Sequence, residues 1–268
     1  MDVLRVERLS KRFGGLYSLE DVSFTVGRGE RLAIIGPNGA GKTTLFNVLA
    51  GQLLPTRGRV YLFSHDITNM TPNRRARLGL SRSFQISNLF FNLSVLDNAL
   101  LAIQGRRARS FQMFRSIETY GDMFSRAKEL LSITDLWEKR EDLVQNMSHG
   151  EQRNLEIVLS LASEPKVLLL DEPTAGLTEA ESASIFKVVS GLGSDTTVLF
   201  VAHDMDLVLN FAHRSVALHY GHTIAEGSPE EIQANPKVIE AYLGTSDIHE
   251  AAPHVVPVTQ AEVNNGAA

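Results

Sequence analysis

Two short runs in this sequence carry the residue types that phosphate chemistry needs. The first is Gly36-Pro37-Asn38-Gly39-Ala40-Gly41-Lys42-Thr43, which fits G-x-x-x-x-G-K-[ST]. Glycines let a backbone wrap closely, so that successive N–H groups and a helix N-terminus point at phosphate oxygens. Lys42 adds a positive charge near the β and γ phosphates, and Thr43 offers a hydroxyl to Mg²⁺. Thr44 can add a further phosphate contact. The second run is an apolar stretch, residues 167–170, that ends in Asp171-Glu172. Asp171 is suited to hold Mg²⁺, directly or through water, and Glu172 to polarise an attacking water. His203 follows another apolar stretch and is a candidate to contact the γ-phosphate and orient that water with Glu172. Alone, a strand can end in solvated acids, and a single histidine is more often structural.

The elements that would position these residues follow from the apolar patterning. Residues 31–35 read as a short buried strand running straight into the glycine-rich loop, and residues 42–50 as a helix that Gly51 stops. Strand, loop and helix in that order are the context that separates a phosphate cradle from an ordinary glycine turn. Further along, the sequence predicts helices at 150–161, 179–191 and 205–211, and strands at 167–171 and 197–201. A strand pair is expected around Gly221. Alternating strands and helices predict an α/β core with a parallel sheet, in which ligands bind at the carboxyl ends of the strands. Both acids and His203 then arrive at the edge where the phosphates sit. Before this core, residues 3–8 and 22–26 alternate apolar and polar, with Gly14-Gly15 and Gly27-Arg28-Gly29 as turns. They predict an N-terminal antiparallel β subdomain. Helical spacing in 95–103 and 123–133 predicts an inserted helical subdomain at about 86–150.

Composition excludes several functions. With 268 residues, 43% of them hydrophobic, the chain can bury one sizeable core. Its 26 basic and 31 acidic residues give a net charge of −5, unlike the basic excess of a nucleic-acid coat. Without cysteine there is neither disulfide nor thiolate metal site. The apolar runs fall far short of the roughly 20 residues that cross a bilayer, and residues 1–10 carry charges that do not suit a signal peptide. Residues 245–268, rich in Ala, Pro, Val and Asn without periodicity, read as a disordered tail behind a domain at 1–244.

One further run separates the families that share such loops. Met147-Ser148-His149-Gly150-Glu151-Gln152 stands before a predicted helix and about twenty residues ahead of the acidic strand. It resembles the ABC signature LSGGQ, with His149 in the third place and Glu151 inserted before Gln152. A serine hydroxyl, a glycine that permits close approach and a helix N-terminus make an anion-binding surface. An ordinary serine-capped helix would read the same way. Other pieces fall in the family's order: Phe13 where an aromatic stacks on adenine, Gln85 as the glutamine at the entry to the helical insert, and His203 as the switch histidine. The resemblance covers residues 2–244 and implies an ABC ATPase fold that binds ATP and Mg²⁺. It implies metal contacts from Thr43, Gln85 and Asp171, and catalysis by Glu172 and His203 with Gln85. It also implies a dimer in which Ser148 and Gly150 close on the ATP of the opposite protomer. Thr178 departs from the pattern, standing where the family usually carries an aspartate.

Within the family, the runs 13–16, 82–85, 152–157, 225–229 and 236–244 are most similar to the branched-chain amino acid group and its urea-uptake relatives. That likeness implies integral-membrane permease partners, a second ATPase subunit and a separate binding protein, with this chain peripheral on the cytoplasmic face of the inner membrane. The cargo stays open between branched-chain amino acids and urea or short-chain amides. Between residues 74 and 115 stand eight arginines (74, 75, 77, 82, 106, 107, 109 and 115) and one acid, Asp97. They read either as a face for permease loops or anionic lipid, or as a plain solvated face. Leu89-Phe90-Phe91 reads as a partner groove or as core packing. An ABC ATPase of DNA repair would need long coiled coils, whereas about a hundred residues without sustained heptads separate the loop from the signature. A nucleotide sensor without turnover would not need both Glu172 and His203.

Overall fold

The computed structural model describes residues 2–83, 89–106, 117–193, 195–202 and 205–243. Its centre is set by short strands whose side chains are buried alternately on two faces. β3 (Arg31–Ile35), β6 (Leu80–Arg82), β7 (Val167–Asp171), β8 (Thr197–Val201) and β9 (Arg214–His219) run parallel. β10 (His222–Gly227) closes one edge antiparallel, giving the order β10-β9-β3-β8-β7-β6. Leu32, Ile34, Leu169, Leu199 and Val201 face one way, against Leu45, Phe46 and Leu49 of α1 (Lys42–Ala50). Ala33, Ile35, Leu168, Leu170, Val198 and Phe200 face the other. Apolar side chains on both faces are what a buried parallel sheet requires.

The first face is roofed by an antiparallel sheet of β1 (Asp2–Phe13), β2 (Leu16–Gly27), β4 (Arg57–Leu62) and β5 (His65–Asp66), in the order β2-β1-β4-β5. The second face carries α5 (His149–Leu161) and α6 (Glu179–Ser190), with α3 (Val95–Arg106) and α4 (Ile117–Leu131) beyond them. Met123, Ala127, Leu130 and Leu131 of α4 are buried at the spacing of one helix face. α2 (Pro72–Arg77), α7 (Met205–Phe211), α8 (Pro229–Gln233) and α9 (Pro236–Leu243) complete the described elements.

The helix starts share one device. Ser148 with Glu151, Thr178 with Glu181 and Ser228 with Glu231 each form a reciprocal capping box at the heads of α5, α6 and α8. Each box satisfies two of the N–H groups that a helix start leaves unpaired.

The expected α/β core is present: strands 167–171 and 197–201 and helices 42–50 and 205–211 have the expected bounds. β1 and β2 are each twelve residues long, well beyond the segments whose alternation is visible, and β4, β5, β6, α2, α8 and α9 were not expected. Two or three residues, as in β5 and β6, are too few to show a period. Residues 245–268 lie outside the described residues. No helix among the described residues is long and apolar enough to cross a membrane.

The basic stretch needs correction. Arg74 and Arg77 are exposed, but Arg75 and Arg82 are buried and belong to no face; 107, 109 and 115 lie outside the described residues. Arg75 sits behind the C-terminus of α1 and donates to the carbonyls of Val48 (2.6 Å), Leu49 (2.7 Å), Thr68 (3.0 Å) and Met70 (3.0 Å). A cation there satisfies carbonyls that the helix end orphans and meets its negative pole. Burial pushes the guanidinium down to about 10, so it is charged at neutral pH. Arg75→Ala removes a donor from four carbonyls, of which Val48 O keeps the Gly51 N–H. It is expected to cost about 3 kcal/mol, or roughly 10 °C in melting temperature, by thermal denaturation. An unchanged melting temperature would remove Arg75 from the structural core.

Candidate functional site

The strand order explains how the phosphate loop and the acids meet. The loop leaves the end of β3, Asp171 ends β7, and β8 lies between them, all three pointing the same way. His203, two positions after the end of β8 in the sequence, and Gln85 both lie outside the described residues.

The loop's path depends on glycine. Gly36 has φ 143°, and a Cβ there would lie 2.1 Å from the Leu218 carbonyl oxygen. Gly41 has φ 104°, and a Cβ would lie 2.4 Å from the Ser18 carbonyl oxygen. Both combine the left-handed region with close backbone approach, which other residues do not tolerate. Between them the chain turns on itself, with Ala40 N–H donating to Pro37 O at 3.1 Å. Asn38, Gly39 and Thr43 are exposed at the loop mouth.

Three distant contacts brace the loop. Gly36 N–H donates to the Tyr242 hydroxyl of α9 at 2.9 Å. Gly221 N–H, in the β9–β10 turn, donates to Ala40 O at 3.0 Å. The Thr44 and Ser18 hydroxyls share a hydrogen bond of 2.8 Å. Lys42 is folded inward, its Nζ donating to Gly36 O (2.6 Å) and Pro37 O (3.0 Å). Burial lowers its pKa, while the carboxylates of Glu172 and Asp171 act to raise it. The lysine and both acids therefore share one electrostatic site.

Asp171 is fully buried. Its Oδ2 accepts from Arg82 Nη2 at 2.6 Å, while Oδ1 is buried with no partner among the described residues. Glu172 is half-buried and has φ 47°, a strained value that costs on the order of 1–3 kcal/mol outside glycine. Pro173 disfavours the right-handed helical region for Glu172. The turn is gripped by Arg153 of α5, which donates to the carbonyls of Asp171 (2.9 Å), Glu172 (3.2 Å) and Pro173 (3.3 Å) and pairs with Glu156 (2.8 Å). A cavity of about 180 Å³ opens between α5 and the acidic turn, with His149, Gln152, Arg153, Glu156, Asp171 and Glu172 among its lining residues.

Ser148 and His149 are exposed at the head of α5. The Ser148 hydroxyl accepts from Glu151 N–H at 3.3 Å, so the capping reading holds here. Glu151 also pairs with Lys139, which with the Ser148 backbone bond keeps its carboxyl below the usual range. Gly150 is buried, and a Cβ there would lie 2.1 Å from the Glu181 carboxylate. Glu181 in turn accepts from Thr178 N–H (2.9 Å) and Oγ1 (2.8 Å). Thr178 thus serves as the cap of α6. Arg82, Arg153 and Tyr242 were missed as site residues. Only a pattern of arginines was visible for Arg82, and sequence offers no sign of contacts spanning 89 and 206 positions.

This arrangement of loop, parallel sheet and acidic strand end is that of a P-loop nucleotide-binding cassette. A crystal structure of a nucleotide-free ATP-binding cassette from an ABC transporter superposes with a TM-score of 0.79 at 32% identity, covering 90% of this chain and 99% of that one. A cassette of an ABC transporter in its ADP conformation gives 0.80 at 32%, covering 91% and 99%. In sequence, residues 19–175 match the ABC transporter family and residues 222–248 the branched-chain amino acid ATP-binding cassette transporter family. The high-affinity branched-chain amino acid transport ATP-binding protein LivG of Salmonella typhimurium is 37% identical over 252 residues, covering 90% of this chain and 98% of the relative. BraF of Pseudomonas aeruginosa, of the same description, is 36% identical over 251 residues, covering 90% and 98%. The chain belongs to the ABC transporter family of ATP-binding proteins, in its branched-chain amino acid group.

Phe13 ends β1 with half its surface exposed, and Lys11 Nζ lies 5.1 Å from the ring centroid. An aromatic with so little packing has surface to offer a base. Phe13→Ala is expected to weaken ATP binding by about 1–3 kcal/mol, the usual range for base stacking, with little change in melting temperature. Equal ATP affinity in titration calorimetry would leave Phe13 as a surface residue without part in binding.

Proposed function

We propose that this chain is the ATP-hydrolysing subunit of an importer for branched-chain or related amino acids, working on the cytoplasmic face of the inner membrane. The observation that carries the catalytic reading is the meeting of Lys42 with the Asp171 and Glu172 carboxylates at one sheet edge. The amino acid cargo is supported by the relatives, which are described as branched-chain amino acid transport proteins.

The donor set fits magnesium. Asp171 Oδ1 is a buried acceptor in want of a partner, and Thr43 offers an exposed hydroxyl. Oxygen donors of this kind suit a hard cation. Thr43 and Asp171 would hold it, with Gln85 by family resemblance. Bound there, magnesium supplies charge neutralisation on the β and γ oxygens. The N–H groups of Gly39 and of residues 41–44, at the head of α1, receive the phosphates, and Lys42 exchanges its loop carbonyls for phosphate oxygens. Glu172 takes a proton from the water that attacks the γ-phosphorus, and the bond to the β-γ bridging oxygen breaks, giving ADP and phosphate. His203 orients the same water. Arg153 holds the strained Glu172 turn, so the carboxylate reaches the water without reorganising.

Ser148 and Gly150 would meet the ATP of a second protomer, a second ATPase subunit being the expected mate. For the exposed Ser148 hydroxyl this needs only a change of partner; for Gly150 it requires Glu181 to yield. Permease contact is supported by an apolar groove of about 310 Å³ whose walls include Ser81, Ser83, Leu89, Phe90, Leu101 and Leu159. Phe90 there is 57% exposed. A separate binding protein would deliver the cargo.

Lys42→Ala is expected to abolish ATP binding or turnover with the melting temperature kept; unchanged hydrolysis would overturn the loop assignment. Glu172→Gln keeps size and hydrogen bonding but loses the charge that polarises water. Its turnover should fall by about 10²-fold or more, with binding kept. With ATP it should accumulate as a closed dimer in size-exclusion chromatography, and adding Ser148→Arg should dissolve it. Parental turnover in Glu172→Gln would remove Glu172 from the chemistry.

A further inference from the structure

Arg82 is the least expected group near the acids. It ends β6, is almost wholly buried, and spends its two terminal nitrogens on three acceptors. Nη1 donates to Asn47 Oδ1 and Gln52 Oε1, each at 2.6 Å, and Nη2 donates to Asp171 Oδ2 at 2.6 Å. Asn47 lies on α1, the helix that Lys42 starts, and Gln52 follows its end. Asp171 lies on β7, which β6 flanks in parallel register, Arg82 opposite Leu169. One guanidinium therefore ties the helix of the phosphate loop to the carboxylate of the acidic strand.

A buried ion pair is weak evidence for stability, because apolar residues of similar volume commonly replace it without loss. Asp171 Oδ1, like Arg82 Nε, is buried without a partner among the described residues, at a cost of about 1–3 kcal/mol, and of the two only Oδ1 is an acceptor that a cation would satisfy. The single Nη2–Oδ2 bond, from a guanidinium that Asn47 and Gln52 hold in place, restrains the carboxylate's rotation and with it the direction of Oδ1. Lysine, a point charge on a flexible stem, would not span three acceptors in one plane.

We propose that Arg82 is a positioning residue for the metal carboxylate: it fixes Asp171 so that Oδ1 meets magnesium or its water. This rests on the reading of Asp171 as the magnesium carboxylate. An opposite effect is physically open, since a guanidinium beside the carboxylate also repels a cation. The two differ in sign. If positioning dominates, losing the fork weakens metal binding. If repulsion dominates, losing the charge strengthens it.

The test uses the full chain with a non-hydrolysable ATP analogue and Mn²⁺, whose free ion is read by its paramagnetic signal. Arg82→Lys keeps the charge without the fork, and Arg82→Gln removes both. Each is expected to raise the Mn²⁺ concentration for half-saturation by about tenfold or more, the range for lost partners of a metal ligand. Affinity for the analogue in EDTA should stay within about twofold, because the loop itself is intact. Asn47→Ala, which leaves both charges and removes one anchor, should move Mn²⁺ binding the same way by less, and it decides the matter if the arginine variants fail to fold. Unchanged or tighter Mn²⁺ binding in these variants overturns the proposal. Asp171→Asn separates the two readings. If it abolishes Mn²⁺ binding while the Arg82 variants do not affect it, only the positioning role falls. If it leaves Mn²⁺ binding untouched, the magnesium reading of Asp171 falls and this inference with it.

Discussion

A carboxylate buried at the end of a central strand constrains everything around it. Taking an ionised group out of water costs several kcal/mol even after relaxation, so Asp171 must be met by charge and donors. The molecule supplies them from separate elements: the Arg82 fork from β6 on one oxygen, and the Lys42 ammonium at the head of α1 acting across the loop. Lys42 has the converse problem. Burial works against its charge, and it is held by two loop carbonyls while the acids favour its protonated form. Neither charge would be tolerable alone at this depth. The two charges sit where β3, β7 and α1 meet, with β6 supplying the Arg82 counter-charge, so the site is close to electrostatic balance.

Helix α5 links this site to two surfaces. Its head carries the exposed Ser148 and His149, its second turn carries Arg153 on the carbonyls of the acidic turn, and Glu156 pairs with Arg153 while lining the apolar groove. Arg82 lines the same groove and touches Asp171. The chain of contacts from groove to acids is therefore one or two side chains long.

What could be read from the sequence follows a physical line. The loop was legible because its glycines, lysine and threonine act through adjacent backbone groups, so their spacing is the site. The Asp171-Glu172 pair was legible because four apolar residues directly before two acids read as the end of a buried strand, and the phosphate loop places that end beside it. Arg75 and Arg82 were misread, because a cluster of arginines in sequence says nothing of which side chains turn inward. Arg75 is buried because the carbonyls of α1 need a donor, and Arg82 because Asp171 needs a counter-charge. Neither need is visible before the fold brings the partners together. The capping boxes sit in plain view as Ser or Thr three residues before Glu. They went unread apart from the possibility of a serine-capped helix at Ser148, whose helix the structure starts at His149.

The C-terminal elements belong to the nucleotide site as much as the loop does. The first residue of the loop gives its N–H to Tyr242, the turn between β9 and β10 gives Gly221 N–H to Ala40, and Leu218 packs its carbonyl where Gly36 would otherwise carry a side chain. An unpaired buried N–H costs about 1–3 kcal/mol, so the Tyr242 hydroxyl has a measurable task in holding Gly36. It sits in the segment that matches the branched-chain amino acid family rather than in the one shared by ABC transporters at large. The general loop thus rests, at its first residue, on a family-specific helix. The loop's shape is set by the whole chain, from β2, whose Ser18 carbonyl forbids a side chain at Gly41, to α9 at the far end.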